Sequence, residues 1–111
     1  MAYLMKLQHS PFLAVKSGRK KIEMRLFDDK RKKLKVGDMV EFTDVKTGER
    51  LVCEVVQLHL YASFDELYQR HDKMSIGYEE NEKANPEDML AYYSAEDVQR
   101  YGVVGIELKI V

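Results

Sequence analysis

The chain has 111 residues, 45% hydrophobic and 33% charged, which feeds one core comfortably and two not at all. No apolar run approaches the ~20 residues of a membrane helix, and the first residues lack the apolar stretch of a signal peptide. Cys53 is the only cysteine, which excludes an internal disulfide and a cysteine-built zinc site. The expectation is one cytoplasmic domain over residues 1–111 with no membrane partner. The net charge of -1 conceals a split. Residues 1–37 hold eleven Lys or Arg against Glu23, Asp28 and Asp29, whereas residues 38–111 hold seven against sixteen acids. A half this basic either faces an anionic partner or is neutralised by the acidic half on folding.

Leu4 to Gln8 is short and apolar, a first strand. Ser10-Pro11 reads as a helix start, with Ser10 as cap and Pro11 at the first helical position, where its missing N–H costs nothing. Phe12 and Val15 supply the buried side of two turns, and Gly18 suits the left-handed end. Residues 20–26 alternate, with Ile22, Met24 and Leu26 on one face and Lys21, Glu23 and Arg25 on the other. That pattern predicts a half-buried strand whose apolar face points into the sheet's interior and whose charged face stands open. Lys30 to Lys35 is a connection with five positive residues in six. Met39–Thr43 and Arg50–Leu60 are strands joined by a turn at Lys46-Thr47-Gly48-Glu49.

Ser63-Phe64-Asp65-Glu66 fits a capping box that opens a helix through about His71. Residues 72–85 are polar and carry no periodicity. Pro86 starts another helix, Ser94 restarts a short one that Gly102 ends, and Val103 to Val111 is a last strand. The order β-α-β-β-β-α-α-β, without regular βαβ alternation, predicts an α+β domain. Its antiparallel sheet of about five strands curls into a small barrel or half-barrel with flanking helices.

Gly18-Arg19-Lys20-Lys21-Ile22-Glu23-Met24-Arg25 contains the pattern G-x-K-x-x-E-x-R, placed after a short helix and entering a strand. Lys35-Val36-Gly37-Asp38 precedes a strand ending in Glu41-Phe42, and Arg100-Tyr101-Gly102-Val103-Val104-Gly105 opens the closing strand. In this combination and order the chain resembles the ASCH domain family of the PUA-like β-barrels. The resemblance implies a PUA-like barrel with a cleft lined by the signature residues and proposed to hold RNA or a nucleotide. Some small members hydrolyse the acetyl amide of N4-acetylcytidine with the signature Lys, a Thr three residues later and a Glu from the later helical region. Lys20 matches the first. Glu23 stands where those hydrolases carry Thr, and Glu79, Glu80 and Glu82 match the third by region only. The binding role therefore carries over more directly than a small amidohydrolase activity, in which Lys20 and Glu23 would be catalytic.

The same residues speak without the family. An Arg beside a carboxylate is held by a bidentate pair and presents its remaining N–H groups to a phosphate or a base edge. Lys20, Lys21, Glu23 and Arg25 form the expected ligand site, with Lys32 and Lys33 tracking phosphates beside it. The bland alternative is a surface ion pair and an ordinary solvated loop. Lys20 has the parity of the apolar face, so it joins Glu23 and Arg25 only if the strand bends or begins after it. Phe64 and Tyr68, at i, i+4 spacing, read as core, as do Tyr92, Tyr93 and Tyr101. Tyr61 and Tyr78 are the better base-stacking candidates. His9, His59 and His71 have no metal-ligand spacing, so neither metal nor cofactor is expected. The acidic run from Glu79 to Asp97 lies away from the basic loop or forms an acidic rim to the cleft, and the second arrangement favours a small nucleoside over a polyanion.

Overall fold

Five strands and three helices follow one another in the computed structural model, which describes residues 2–111. They are β1 (Ala2–Leu7), α1 (His9–Lys16), β2 (Ile22–Leu26), β3 (Met39–Asp44), β4 (Arg50–Tyr61), α2 (Phe64–Arg70), α3 (Ala95–Tyr101) and β5 (Val103–Ile110). Short 3-10 turns at Arg31–Lys33 and Pro86–Ala91 interrupt the two long connections. The sheet order is β1-β3-β4-β5-β2. Its pairings are antiparallel except one: β1 runs parallel to β3, from Ala2 opposite Met39 to Leu7 opposite Asp44. This corrects the wholly antiparallel sheet read from the sequence. Parallel neighbours need a long crossover, and α1, β2 and the basic connection together supply it. A bulge between Val55 and Gln57 bends the long β4 and helps the sheet curl into a five-stranded half-barrel with helices against it.

Local chemistry sets the boundaries. The Ser63 and Ser94 hydroxyls accept from the Glu66 and Asp97 amides, capping α2 and α3, and the Asn85 side chain accepts from the Glu87 amide. Helix α1 departs from expectation. It starts at His9, with Gln8 as an unbonded cap and Ser10-Pro11 inside the first turn, where amides have no intrahelical acceptor and proline is harmless. Gly18, at φ +86°, takes the left-handed conformation that lets the chain reverse into β2.

The core divides into two clusters on opposite sides of the sheet. Met5, Leu7, Phe12, Val15, Val40, Phe42, Val55, Val104 and Ile106 fill the inner one, and Phe64, Leu67, Ile76 and Met89 gather in the outer one beneath α2. Strand β2 is covered on both faces. Ile22, Met24 and Leu26 belong to the outer cluster. Glu23 pairs with Ile106 and Arg25 with Val104, so both charged residues share the inner face. The faces are the reverse of those inferred from alternation, and β2 is not half exposed. The split charge is partly cancelled by Lys16–Glu49 and Arg19–Glu79 contacts between the basic and acidic halves.

On the outer side, His71 meets the His59 ring edge-on at 4.7 Å between centroids, and its Nε2 lies 2.8 Å from the Tyr61 hydroxyl. His59 Nε2 donates to Glu107. Burial, then the nearby His59, lowers the His71 pKa against the smaller opposing pull of Glu107. Both effects favour the neutral ring beside Tyr61. A histidine whose folded pKa lies below its unfolded one takes up protons later than the unfolded chain does. Stability should rise with pH from the lowered folded value to about 6.5, the unfolded value. Urea midpoints measured across pH 5–7.5 should show this slope, and His71→Gln should flatten it. An unchanged slope in the variant would exclude His71 as its source.

Candidate functional site

The strand begins at Ile22, one residue after Lys21, so Lys20 lies on the approach and is freed from strand parity. Its amide donates to the Ala14 carbonyl, while Lys21 and Ile22 both donate to the Ser75 carbonyl. The turn around Ser75 and the end of α1 thus fix the entry to β2. The Lys20 stem then runs over Gly77, whose φ is +116° and where a Cβ would stand 3.3 Å from Lys20 Cδ. This path delivers the ammonium to Glu23, 2.7 Å from Oε1. Arg25 donates from Nε to Glu23 Oε2 at 2.8 Å, with Nη2 in ion-pair contact with the same oxygen at 2.7 Å, and donates from Nη2 to the Lys6 carbonyl at 3.1 Å. One side chain thereby spans the gap between the sheet's two edge strands.

Lys20 is 8% exposed and Glu23 3%. Burial alone would raise the Glu23 carboxyl, but the charges of Lys20 and Arg25 and their hydrogen bonds outweigh it and hold the pKa below the ordinary value. Burial likewise opposes the Arg25 charge, and Glu23 overcomes it, leaving the guanidinium more firmly protonated than usual. Two cations sharing one carboxylate leave a net positive floor. Lys20 keeps two N–H groups, and Arg25 keeps those of Nη1, without a protein acceptor among the described residues.

These three residues line a half-open cavity of about 450 Å³ between the edges of β1 and β2. Its walls include Tyr68, Tyr78, Tyr92 and Tyr93, and its rim carries Glu82 and Asp88. The Tyr78 hydroxyl donates to Asp88 Oδ2 at 2.6 Å and lies 2.9 Å from that of Tyr68. Burial raises the pKa of Tyr68, Tyr78 and Tyr93, so these walls are uncharged at neutral pH. Tyr93 also stacks on Phe64, 5.9 Å between centroids.

The cavity brings together only some of the expected residues. Lys21 is exposed and lies in a separate shallow depression with Glu107 and Lys109. Lys32 reaches the Phe27 ring, Lys33 gives its carbonyl to the Tyr3 hydroxyl, and neither lines the cavity. No residue of Lys30–Lys35 lines the cavity. Tyr92 is 68% exposed at the cavity mouth rather than in the core, and Tyr68 and Tyr93 divide their rings between core and cavity. Tyr78 is a wall residue, whereas Tyr61 packs with His71 outside it. Of the three acids named by region, Glu79 pairs with Arg19, Glu80 is exposed and Glu82 alone lines the cavity. The acidic run supplies a rim. Asp88 and Gly77 escaped sequence reasoning, because the stretch around them carries no periodicity to place them.

No helix of the described residues is long and apolar enough to cross a membrane. The ASCH domain family pattern matches residues 5–111. The crystal structure of hypothetical protein PH0355 is similar over the whole of both chains, at 30% identity and a TM-score of 0.84. The solution structure of protein PF0455 from Pyrococcus furiosus is also 30% identical, with a TM-score of 0.74 over all of this chain and 98% of that one. No curated protein sequence matches this one.

Proposed function

The chain belongs to the ASCH domain family, and on that premise we propose that it is an RNA- or nucleotide-binding domain whose cavity receives one nucleoside unit. The observation that carries this reading is the pairing, in one cavity of about 450 Å³, of a cationic Lys20–Glu23–Arg25 floor with tyrosine walls. A planar base finds flat faces at the walls and N–H donors at the floor for its carbonyl or ring acceptors. The acidic rim and the absence of Lys32 and Lys33 from the cavity lining favour a free nucleoside or a single unstacked nucleotide over a phosphate-tracking groove.

Titration of the chain with nucleosides and with short single-stranded RNA tests this. Lys20→Ala should weaken nucleoside binding by about tenfold or more, the scale of a hydrogen bond to a charged group. Lys32→Glu with Lys33→Glu should leave nucleoside binding unchanged and flatten only the salt dependence of RNA binding. Absence of saturable binding by any of these ligands would sink the reading.

A second reading is favoured by one observation: Glu82 lines the cavity that holds Lys20. In an amidohydrolase, water would add to the acetyl carbonyl of N4-acetylcytidine and the C–N bond would break to give cytidine and acetate. Glu23 disfavours it, because it occupies the position of the hydrolases' hydroxyl and engages the Lys20 ammonium. Turnover that vanishes in Lys20→Arg with binding retained would establish the hydrolase instead.

A further inference from the structure

The hydroxyls of Tyr68 and Tyr78 and the carboxylate of Asp88 form a chain whose direction is forced. Tyr78 has one hydroxyl proton. Its oxygen lies 2.6 Å from Asp88 Oδ2 and 3.2 Å from the Asn85 carbonyl, and the shorter contact to the charged acceptor takes that proton. The Tyr78 oxygen then accepts, so Tyr68 is the donor in the 2.9 Å contact between the phenols. With its proton committed, Tyr68 offers the cavity only lone pairs. Burial and the bond to Tyr78 raise its pKa and keep that proton in place at neutral pH. Lys20 and Arg25 on the floor offer only protons. The cavity has a donor side and an acceptor side.

Resting on the nucleoside reading above, we infer that the Asp88–Tyr78–Tyr68 chain is a specificity device that selects bases carrying an exocyclic amino group over their oxo counterparts. The amino group donates to the Tyr68 oxygen while an acceptor of the same base meets Lys20 or Arg25. An oxo base turns a carbonyl oxygen toward Tyr68, and lone pairs then face each other in a site partly closed to water. Its ring N–H brings a neighbouring carbonyl against the same wall. Asp88 sets this polarity through Tyr78.

The test is titration calorimetry of the full chain with cytidine, uridine, adenosine and inosine. The wild type should bind cytidine over uridine and adenosine over inosine by about tenfold, one hydrogen bond made against one lost. Tyr78→Phe keeps the ring and frees the Tyr68 proton to donate to the ligand, so the preference should disappear or invert, with the melting temperature checked alongside. Should that variant fail to fold, Tyr68→Phe reads the same ratio by deleting the acceptor. Equal affinities for amino and oxo bases in the wild type, or a ratio unchanged in the variants, would overturn the inference and leave the nucleoside reading standing. Failure of all four nucleosides to bind would overturn both.

Discussion

Glu23→Ala should destabilise the fold by about 3–5 kcal/mol, because it leaves the buried Lys20 and the partly buried Arg25 without the carboxylate between them. For a chain of this length that is a fall in melting temperature on the order of 15 °C. The reason is not that the pair contributes so much. Removing Lys20, Glu23 and Arg25 from water is itself expensive, and their mutual attraction roughly offsets that cost. A combined Lys20→Met, Glu23→Leu and Arg25→Met variant should therefore match or exceed wild-type stability while binding no nucleoside. Urea denaturation of both proteins checks this, and a Glu23→Ala variant within about 1 kcal/mol of wild type would show that the cluster is solvated. The same carboxyl has a folded pKa below its unfolded one. Its stabilising contribution is complete above the ordinary carboxylate range and lost as pH falls through the lowered value, a slope that Glu23→Gln should lack.

Gly77→Ala should cost about 1–3 kcal/mol, since φ of +116° is a conformation that side chains strain to adopt. The second consequence is functional. The new methyl group would press on Lys20 Cδ, 3.3 Å away, and shift the ammonium from Glu23. Binding of a nucleoside should weaken about tenfold even at temperatures where the variant is fully folded, as expected for loss of a charged hydrogen bond. Calorimetric binding beside thermal unfolding separates the two effects. A variant that melts and binds like the wild type would mean that the turn around Ser75 yields and Lys20 does not depend on it.

The grouping of Lys20, Glu23 and Arg25 was legible because all three lie within six residues and the strand starts after Lys20. Capping residues at Ser63 and Ser94 and the glycine turns were legible for the same reason: their causes are local. What alternation could not decide is which side of β2 meets which layer. Parity sorts side chains into two faces, but only the register with β5, Glu23 opposite Ile106, assigns a face to the interior. The run Val103-Val104-Gly105-Ile106, apolar without alternation, carried a hint that β5 is covered on both sides. Tyr92 misled for another reason. Pro86–Ala91 forms a 3-10 turn, which rotates about 20° more per residue than an α-helix. An α-helical reading carried on from that segment therefore points the residue that caps it, Tyr92, to the wrong side. That Lys32 and Lys33 lie outside the cavity lining was not legible, because charge density says nothing about position.

The bond from Arg25 to the Lys6 carbonyl carries a consequence for the order of folding. Strand β1 docks on β3 across the span from residue 2 to residue 39, whereas β2 finds β5 only by closing the chain from residue 22 to residue 107. Closure over that length is entropically slow, and contacts between near neighbours form first. Arg25 cannot reach Lys6 until both strands are seated, so the cationic floor forms only when the last seam of the sheet is drawn together. A partly folded chain could keep β3, β4 and much of its inner core, yet it would have no site to offer. Ligand capture by this molecule would thus report completed topology rather than collapse, and a refolding experiment followed by bound nucleoside should lag one followed by far-ultraviolet circular dichroism.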